Sequence, residues 1–192
     1  MTAEDRLTDD CQREKADIRR EMKDWLRARP PEETRAESER ICAWLRPHLG
    51  EGTVAAFFPL PGEVDLRELL AELAPAGRLV LPRVASGALT LHRVRDLGRL
   101  VPGPLGLREP RADAALVSPS EVHVFLVPGL AFTPDGARLG RGKGLYDRLL
   151  VNLSPHRTTI GIGFAHQVVA RLPTEPHDIP LSCVVPPQDR AC

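Results

Sequence analysis

Three glycines at alternate positions make residues 140–144 the stretch best suited to chemistry in this sequence. Gly140, Gly142 and Gly144 are interleaved with Arg141 and Lys143. Because glycine lacks a Cβ atom, backbone N–H groups at these positions can approach an anion closely. A helix beginning directly after them would add about half a positive charge at its N-terminus. Basic side chains and accessible amides together predict a loop that binds phosphate.

The residues on either side of this loop predict a strand before it and a helix after it. The apolar run at 122–127 is typical of a strand buried on both faces. A turn is expected at 134–136, and Arg138 adds a third cation just before the glycines. After the loop, Leu145, Leu149 and Leu150 recur at helical spacing. The predicted unit is strand, glycine-rich loop and helix.

Two better-known phosphate motifs do not fit the same residues. In a P-loop the lysine is followed by Ser or Thr, whereas Lys143 is followed by Gly144. The dinucleotide fingerprint needs a third small residue where this chain has Leu145. Taken alone, the pattern also leaves open a surface loop that is merely rich in Gly and Arg.

Composition limits the class of protein. The 192 residues suit one domain, and 26 basic residues balance 26 acidic ones, so no charge excess points to nucleic acid. No apolar run approaches the roughly 18 residues of a membrane span, and the first residues lack the apolar core of a signal peptide. The four cysteines show no metal-site spacing, which favours reduced thiols and a cytoplasmic protein.

Strand and helix patterns alternate along the chain, which favours the α/β class. We expect a single three-layer domain, Rossmann-like, with a mainly parallel sheet and helices on both faces. Residues 1–13 are expected to be a disordered extension, 14–186 the domain and 187–192 a loose tail. Helices are predicted from about 14 to 29, at 32–46, from Asp65 onward, after the glycine-rich loop and at 167–172. Strands are predicted at 54–58, 78–84, 89–94, 122–127, 158–164 and 181–185, and a wrapping loop at 97–110.

The segment RLGRGKGLYDRLL, following VPGLAFTPDG, resembles the signature of the 5-formyltetrahydrofolate cyclo-ligase family, also called methenyltetrahydrofolate synthetase. The segments FFPLPGEVD, RLVLPRV, LVPGPLGLREP and LPTEPHDIPL resemble that family too, in the same order. The resemblance extends from about residue 15 to residue 185. It implies an enzyme that uses ATP to close 5-formyltetrahydrofolate into 5,10-methenyltetrahydrofolate, releasing ADP and phosphate.

The resemblance also implies roles for particular residues. On their own, Lys15 and Arg19 would be solvated helix charges, and Glu63 an ordinary loop carboxylate. The implied ATP-binding residues are Lys15, Arg19, Arg138, Leu139, Gly140, Arg141, Gly142, Lys143, Gly144, Leu145 and Tyr146. The implied folate-binding residues are Phe58, Glu63 and the five residues Arg141, Gly142, Lys143, Gly144 and Leu145. Lys143, Arg141 and Arg148 are the expected catalytic cations, and Asp147 and Asp178 are the expected ligands of Mg²⁺.

Two positions depart from the family pattern. Members usually carry an aromatic residue, most often Tyr, at the position of Leu145, and commonly Asp at that of Ser182. Leu145 supports one alternative, a folate- or nucleotide-binding paralogue without turnover. A phosphosugar isomerase on the same fold is a third reading, which would leave Lys15, Arg19 and Glu63 unexplained. The expected partners are 5-formyltetrahydrofolate and ATP, bound by a monomer without nucleic acid or membrane.

Overall fold

The computed structural model of the chain describes residues 3–154, 156–175 and 178–185. The α-helices are α1 (Ala3–Ala28), α2 (Pro31–His48), α3 (Arg67–Leu73) and α4 (Leu145–Leu150). The strands are β1 (Val54–Ala55), β2 (Leu79–Ala85), β3 (Ala88–Arg93), β4 (Val101–Pro102), β5 (Arg108–Glu109), β6 (Val124–Pro128), β7 (Ala131–Phe132), β8 (Arg138–Leu139), β9 (Thr158–Ile162) and β10 (Cys183–Val185).

Six of these strands form one sheet in the order β10-β9-β6-β1-β2-β3. All neighbours pair in parallel except β2 and β3, which form an antiparallel hairpin at one edge. β4–β5 and β7–β8 are separate two-stranded hairpins. The predicted α/β class with a mainly parallel sheet is confirmed.

Alternation along the buried strands sends side chains to both faces of the sheet. In β6, Leu126 packs in a cluster with Leu45 of α2 and Leu70 of α3. The neighbouring Phe125 packs in a second cluster with Leu149 of α4. Since successive side chains in a strand point in opposite directions, a strand that is apolar throughout needs cover on both faces. Helices on both faces follow, as the sequence predicted.

This topology brings two loops to one edge of the sheet. The β1 loop (residues 56–63) follows β1, and the chain after β6 passes through the β7–β8 hairpin into the glycine-rich loop (residues 140–144). β1 and β6 are parallel neighbours, with Val54 opposite Val124. The carboxyl ends of parallel strands share an edge, where open α/β sheets bind their ligands. The two loops therefore lie side by side.

The first helix begins earlier than predicted. α1 starts at Ala3, whereas the sequence pattern indicated a disordered extension up to residue 13. That segment lacks apolar periodicity, but its Ala, Glu, Leu, Gln and Arg residues are good helix formers, and Arg13 pairs with Asp9 one turn away at 2.8 Å. Gln12 also donates to Glu175 at 3.0 Å, which ties this turn to the rest of the fold. The predicted tail at 187–192 lies outside the described residues.

The helix predicted at 167–172 is wrong. Only a 3₁₀ turn, Ala165–Gln167, forms there. The Gln167 side chain is buried and donates to the carbonyls of Gly129 and Leu130 at 3.1 and 2.9 Å. Val168 then forms a parallel bridge with Phe132, which requires extended backbone. Local apolar spacing could not reveal these distant partners. Strand β1 is also shorter than the five residues expected.

In the 97–110 segment, where a wrapping loop was predicted, one 3₁₀ turn precedes β4 and a second connects β4 to β5 in a small hairpin. Cys11 and Cys42 are free, as expected. Cys183 is disulfide-bonded, so the prediction of reduced thiols is wrong at that position. None of the helices in the described part of the chain combines the length and apolar character that crossing a bilayer requires.

Candidate active site

A cavity of about 500 Å³ opens at the carboxyl edge of the sheet. One side is the glycine-rich loop with the start of α4, and the opposite side is the β1 loop. The C-terminal half of α1 and the β4–β5 hairpin close the remaining sides. The predicted residues Phe58, Glu63, Lys143 and Leu145 all line this cavity. The structure therefore brings the predicted phosphate loop and the predicted folate residues together.

The glycine-rich loop takes a backbone path that requires glycine. Gly142 and Gly144 have φ of 97° and 60°, in the left-handed region that disfavours side chains. Arg19 of α1 donates from Nε to the carbonyl of Gly140 at 3.0 Å. Arg19 is thus a brace that holds the loop, and the exposed Lys143 side chain is left at the cavity surface.

An ion pair joins the two sides of the cavity. Arg141 Nη2 donates to Glu63 Oε1 at 2.5 Å. The second oxygen of Glu63 accepts from the backbone N–H of Leu60 at 2.9 Å. The Glu63 side chain is only 11% exposed, whereas that of Arg141 is 39% exposed. The carboxylate predicted to bind the pterin is thereby fixed against the loop predicted to bind phosphate.

A second ion pair lies behind the loop. The buried Arg138 side chain donates to the carboxylate of Asp147 and to the carbonyl of Pro128. Its guanidinium carbon lies 5.7 Å from the ring centre of Tyr146. Burial raises the pKa of the Tyr146 phenol well above its usual value, and nearby Arg138 only partly opposes this. The phenol is protonated at neutral pH, as a tyrosine with an ordinary pKa would be, and can donate a hydrogen bond.

Lys15 lies outside the cavity lining, in an ion-pair cluster. Its buried ammonium donates to Glu175 at 2.7 Å and to Asp178 at 3.0 Å. Burial alone would lower the pKa of Lys15, but the hydrogen bonds to Glu175 and Asp178 outweigh burial and raise it. Asp178 also accepts from the backbone N–H of Glu175 at 2.8 Å. This cluster fastens α1 to the segment that contains Glu175 and Asp178.

Two other predicted residues occupy supporting positions. Arg148 donates to the carbonyls of Gly87 and Lys143 at 2.8 and 3.0 Å, which ties the β2–β3 turn to the glycine-rich loop. The side chain of Leu139 is buried in the core. If Leu139 contacts ATP as predicted, it does so through its backbone. A catalytic role of Arg148 stays a prediction.

The two predicted metal ligands, Asp147 and Asp178, lie in different clusters. Asp147 lines the cavity and pairs with Arg138, whereas Asp178 pairs with Lys15. Among the described residues, no group of three or more His, Cys, Asp or Glu side chains could hold an ion. Mg²⁺ bound by Asp147 in the cavity would need phosphate oxygens and water as its other ligands. This is how Mg²⁺ is usually coordinated in nucleotide sites.

Sequence reasoning missed three cations of the cavity. Arg108 of β5 lies with its guanidinium carbon 5.7 Å from the Phe58 ring centre. Lys23 and Arg27 of α1 also line the cavity. The sequence held a signal for Lys23 and Arg27, because they follow Arg19 at spacings of four residues. This spacing places the three side chains on one helix face.

Comparison of the sequence with known proteins finds one matching family model and several similar enzymes. The model of the 5-formyltetrahydrofolate cyclo-ligase family matches residues 11–187. A 5-formyltetrahydrofolate cyclo-ligase of Escherichia coli is 40% identical over 142 residues, which cover 70% of this chain and 78% of that protein. One of Mycolicibacterium smegmatis is 32% identical over 186 residues, covering 92% and 95% of the two chains.

A solved structure extends the similarity to the whole fold. The 5,10-methenyltetrahydrofolate synthetase of Aquifex aeolicus, determined by NMR, superposes with a TM-score of 0.79. It is 34% identical in sequence and covers 88% of each chain. The sequence resemblance, the sheet topology and the cavity lead to one conclusion: the chain belongs to the 5-formyltetrahydrofolate cyclo-ligase family.

Proposed function

We propose that this chain converts 5-formyltetrahydrofolate and ATP into 5,10-methenyltetrahydrofolate, ADP and phosphate. Family membership supports the reaction. The observation that supports this site is the Glu63–Arg141 ion pair, which joins the carboxylate that we assign to the pterin to the loop that we assign to phosphate. A phosphoryl group must reach the folate in this reaction, so the two binding regions have to be adjacent.

The chemistry requires transfer of the γ-phosphoryl group to the formyl oxygen on nitrogen-5. The bond from phosphorus to the ADP oxygen breaks as the bond to the formyl oxygen forms. Nitrogen-10 then attacks the formyl carbon and loses its proton, and the oxygen leaves as phosphate. Phosphoryl transfer depends mainly on positioning and on neutralising charge, so the protein needs cations and backbone donors and no protein nucleophile.

The glycine-rich loop supplies these groups. We assign Lys143 and the backbone N–H groups around Gly142 and Gly144 to the phosphates of ATP. Lys143 is exposed at the cavity and its three N–H donors face no competing carboxylate among the described residues. Arg141 is paired with Glu63 and can turn part of its planar fork toward the transferred group. Arg19 holds the loop in place by its bond to Gly140.

The opposite side of the cavity suits the pterin. Phe58 offers a ring face, and Arg108 lies above the same ring at 5.7 Å. Glu63 already accepts from Arg141 and Leu60, but an ionised carboxylate has about four acceptor positions. Its remaining positions can accept from the amino and ring N–H groups of a pterin. We therefore assign Phe58 and Glu63 to the folate.

We propose magnesium as the divalent ion and Asp147 as its contact in the cavity. Asp147 pairs with Arg138 through Oδ1, and its Oδ2 lies toward Gly144 of the phosphate loop. When bound with ATP, the ion neutralises charge on the β- and γ-phosphate oxygens. Asp178 stays a predicted second ligand, and the short Lys15 contact at 3.0 Å holds it next to α1.

We propose that the enzyme acts as a cytoplasmic monomer without nucleic acid or membrane. The equal numbers of basic and acidic residues support the absence of a nucleic-acid partner.

The direct test is product formation followed by the absorbance of the methenyl product. Protein, MgATP and 5-formyltetrahydrofolate should give this product, with one phosphate released per ring closed. Omitting ATP, or removing divalent metal with EDTA, should reduce the rate to background. Product formed at the full rate without nucleotide would contradict the proposal.

Replacing Lys143 tests the assignment of the phosphate loop. Lys143→Ala should lower kcat/KM by about 10- to 150-fold, since a hydrogen bond to a charged group contributes roughly 1.5–3 kcal/mol. Arg35→Ala is the control, because Arg35 is 79% exposed on α2 and pairs with Glu39 of the same helix. The control should remain within twofold of the parent. An equally small change for Lys143→Ala would show that this side chain does not act on the phosphates.

Leu145 tests whether the departure from the family pattern limits the rate. Leu145 lines the cavity directly after Gly144. A tyrosine there would restore a ring face and a hydroxyl, each contributing about 0.5–1.5 kcal/mol. Leu145→Tyr should therefore raise kcat/KM by between several-fold and roughly a hundredfold at saturating MgATP.

Leu145→Phe is the matched control for the hydroxyl, and should recover only the part that comes from the ring. A fall in kcat/KM for both variants would mean that the cavity has packed around leucine. If neither the parent nor Leu145→Tyr turns over while both bind folate, the chain is the non-catalytic paralogue.

A further inference from the structure

Two cations of the cavity have no part in the reaction described above. Lys23 and Arg27 lie on α1, four and eight residues beyond Arg19. Lys23 makes no hydrogen bond or ion pair with any residue in the described part of the chain. Within the same described part, the one ion pair of Arg27 is with Asp24, at 3.3 Å, and the Arg27 side chain is 77% exposed. Both are therefore available to an anion at the mouth of the cavity.

The other cations of the cavity are already engaged. Arg138 pairs with Asp147, and Arg141 pairs with Glu63. Arg108 donates to the carbonyl of Leu100 at 3.0 Å and lies over Phe58. Lys143 belongs to the phosphate loop. The buried Glu109, the remaining carboxylate of the cavity, lies 3.7 Å from Arg83. Lys23 and Arg27 thus leave positive charge at the mouth that no side chain of the cavity compensates.

Their position is on the folate side of the cavity. Arg19 touches the glycine-rich loop at Gly140. At roughly 1.5 Å per residue, Lys23 lies about 6 Å and Arg27 about 12 Å farther along the helix axis from that contact. The β1 loop packs against the same turns, because a Cβ atom on Gly62 would lie 2.9 Å from the carbonyl oxygen of Leu26. The two cations are therefore next to the residues assigned to the pterin and away from the phosphates.

A second, shallow depression continues outward from these residues. It is lined by Ala16, Arg19, Arg20, Lys23, Asp24 and Arg27. Four of these side chains are cationic and one is anionic, so the surface leading from the mouth carries net positive charge. Arg20 pairs with Asp17 at 2.6 Å, but both are largely exposed, and such pairs are weak. An anionic part of a bound substrate that extends out of the cavity would therefore be attracted to this surface.

We infer that Lys23 and Arg27 bind the glutamate carboxylates of the folate substrate and select for substrates that carry this anionic tail. The inference rests on the proposed function. With the pterin on Phe58 and Glu63, and nitrogen-5 and nitrogen-10 turned to the phosphates, the aminobenzoyl-glutamate end must leave through the mouth. Its two carboxylates then meet the two cations that the rest of the site does not use. Lys23 and Arg27 are specificity residues in this assignment.

The test pairs a change in the protein with a change in the substrate. kcat/KM is measured for 5-formyltetrahydrofolate and for 5-formyltetrahydropteroate, which lacks the glutamate and both its carboxylates. Lys23→Ala and Arg27→Ala should each lower the folate-over-pteroate ratio by about fivefold, as expected for partly exposed charge pairs. The double variant should lower the ratio by more than either single variant, and the KM for ATP should change by less than twofold.

Arg13→Ala is the matched control, because Arg13 is a 73% exposed arginine on the same helix. It should leave the ratio unchanged. A ratio that stays within twofold of the parent in the double variant would overturn the inference, and so would a rise in the KM for ATP with no change in the ratio. If the parent protein shows no turnover, the proposed function fails, and the same ratio taken from dissociation constants measured by calorimetry tests the carboxylate contacts.

Discussion

The ion pair between Glu63 and Arg141 is the interaction on which the site depends. It joins two loops that follow different strands and are 78 residues apart in the chain. Glu63 is 11% exposed, so removing its partner would leave a mostly buried charge with less compensation, which is costly. The pair therefore joins the β1 loop to the glycine-rich loop, the two sides of the cavity that we assign to folate and to phosphate. Such preorganisation is what phosphoryl transfer requires of a protein.

Other arginines hold the same loop from outside. Arg19 holds the carbonyl of Gly140, Arg148 holds that of Lys143, and Arg138 holds Asp147 at the start of α4. These contacts use carbonyls and a carboxylate, so the N–H groups of the loop remain for an anion. Arginine suits this work because it stays charged and its planar fork can serve two acceptors at once. The family resemblance implied that Arg19 and Arg138 bind ATP and that Arg148 is catalytic, and in the structure all three also support the loop or the start of α4.

Features that depend on neighbouring residues could be predicted from the sequence, and contacts between distant segments could not. The strand, glycine-rich loop and helix were predictable because apolar periodicity and alternate glycines are local features. The partners of Lys15, Arg141 and Arg148 were not, because each ion pair or hydrogen bond joins segments that only the finished fold brings together. The failed helix at 167–172 has the same origin, since the bonds of Gln167 to the chain after β6 replace helical ones.

The central claim is that Glu63 and Arg141 act as one unit, and a double-mutant cycle tests it most directly. kcat/KM for 5-formyltetrahydrofolate at saturating MgATP would be measured for the parent, Glu63→Gln, Arg141→Gln and the double variant. Residues in direct contact commonly show coupling of about 0.5–3 kcal/mol, so the double variant should lose at least severalfold less than the product of the single losses. A loss equal to that product within twofold would contradict the account, because it would mean that the two side chains work independently.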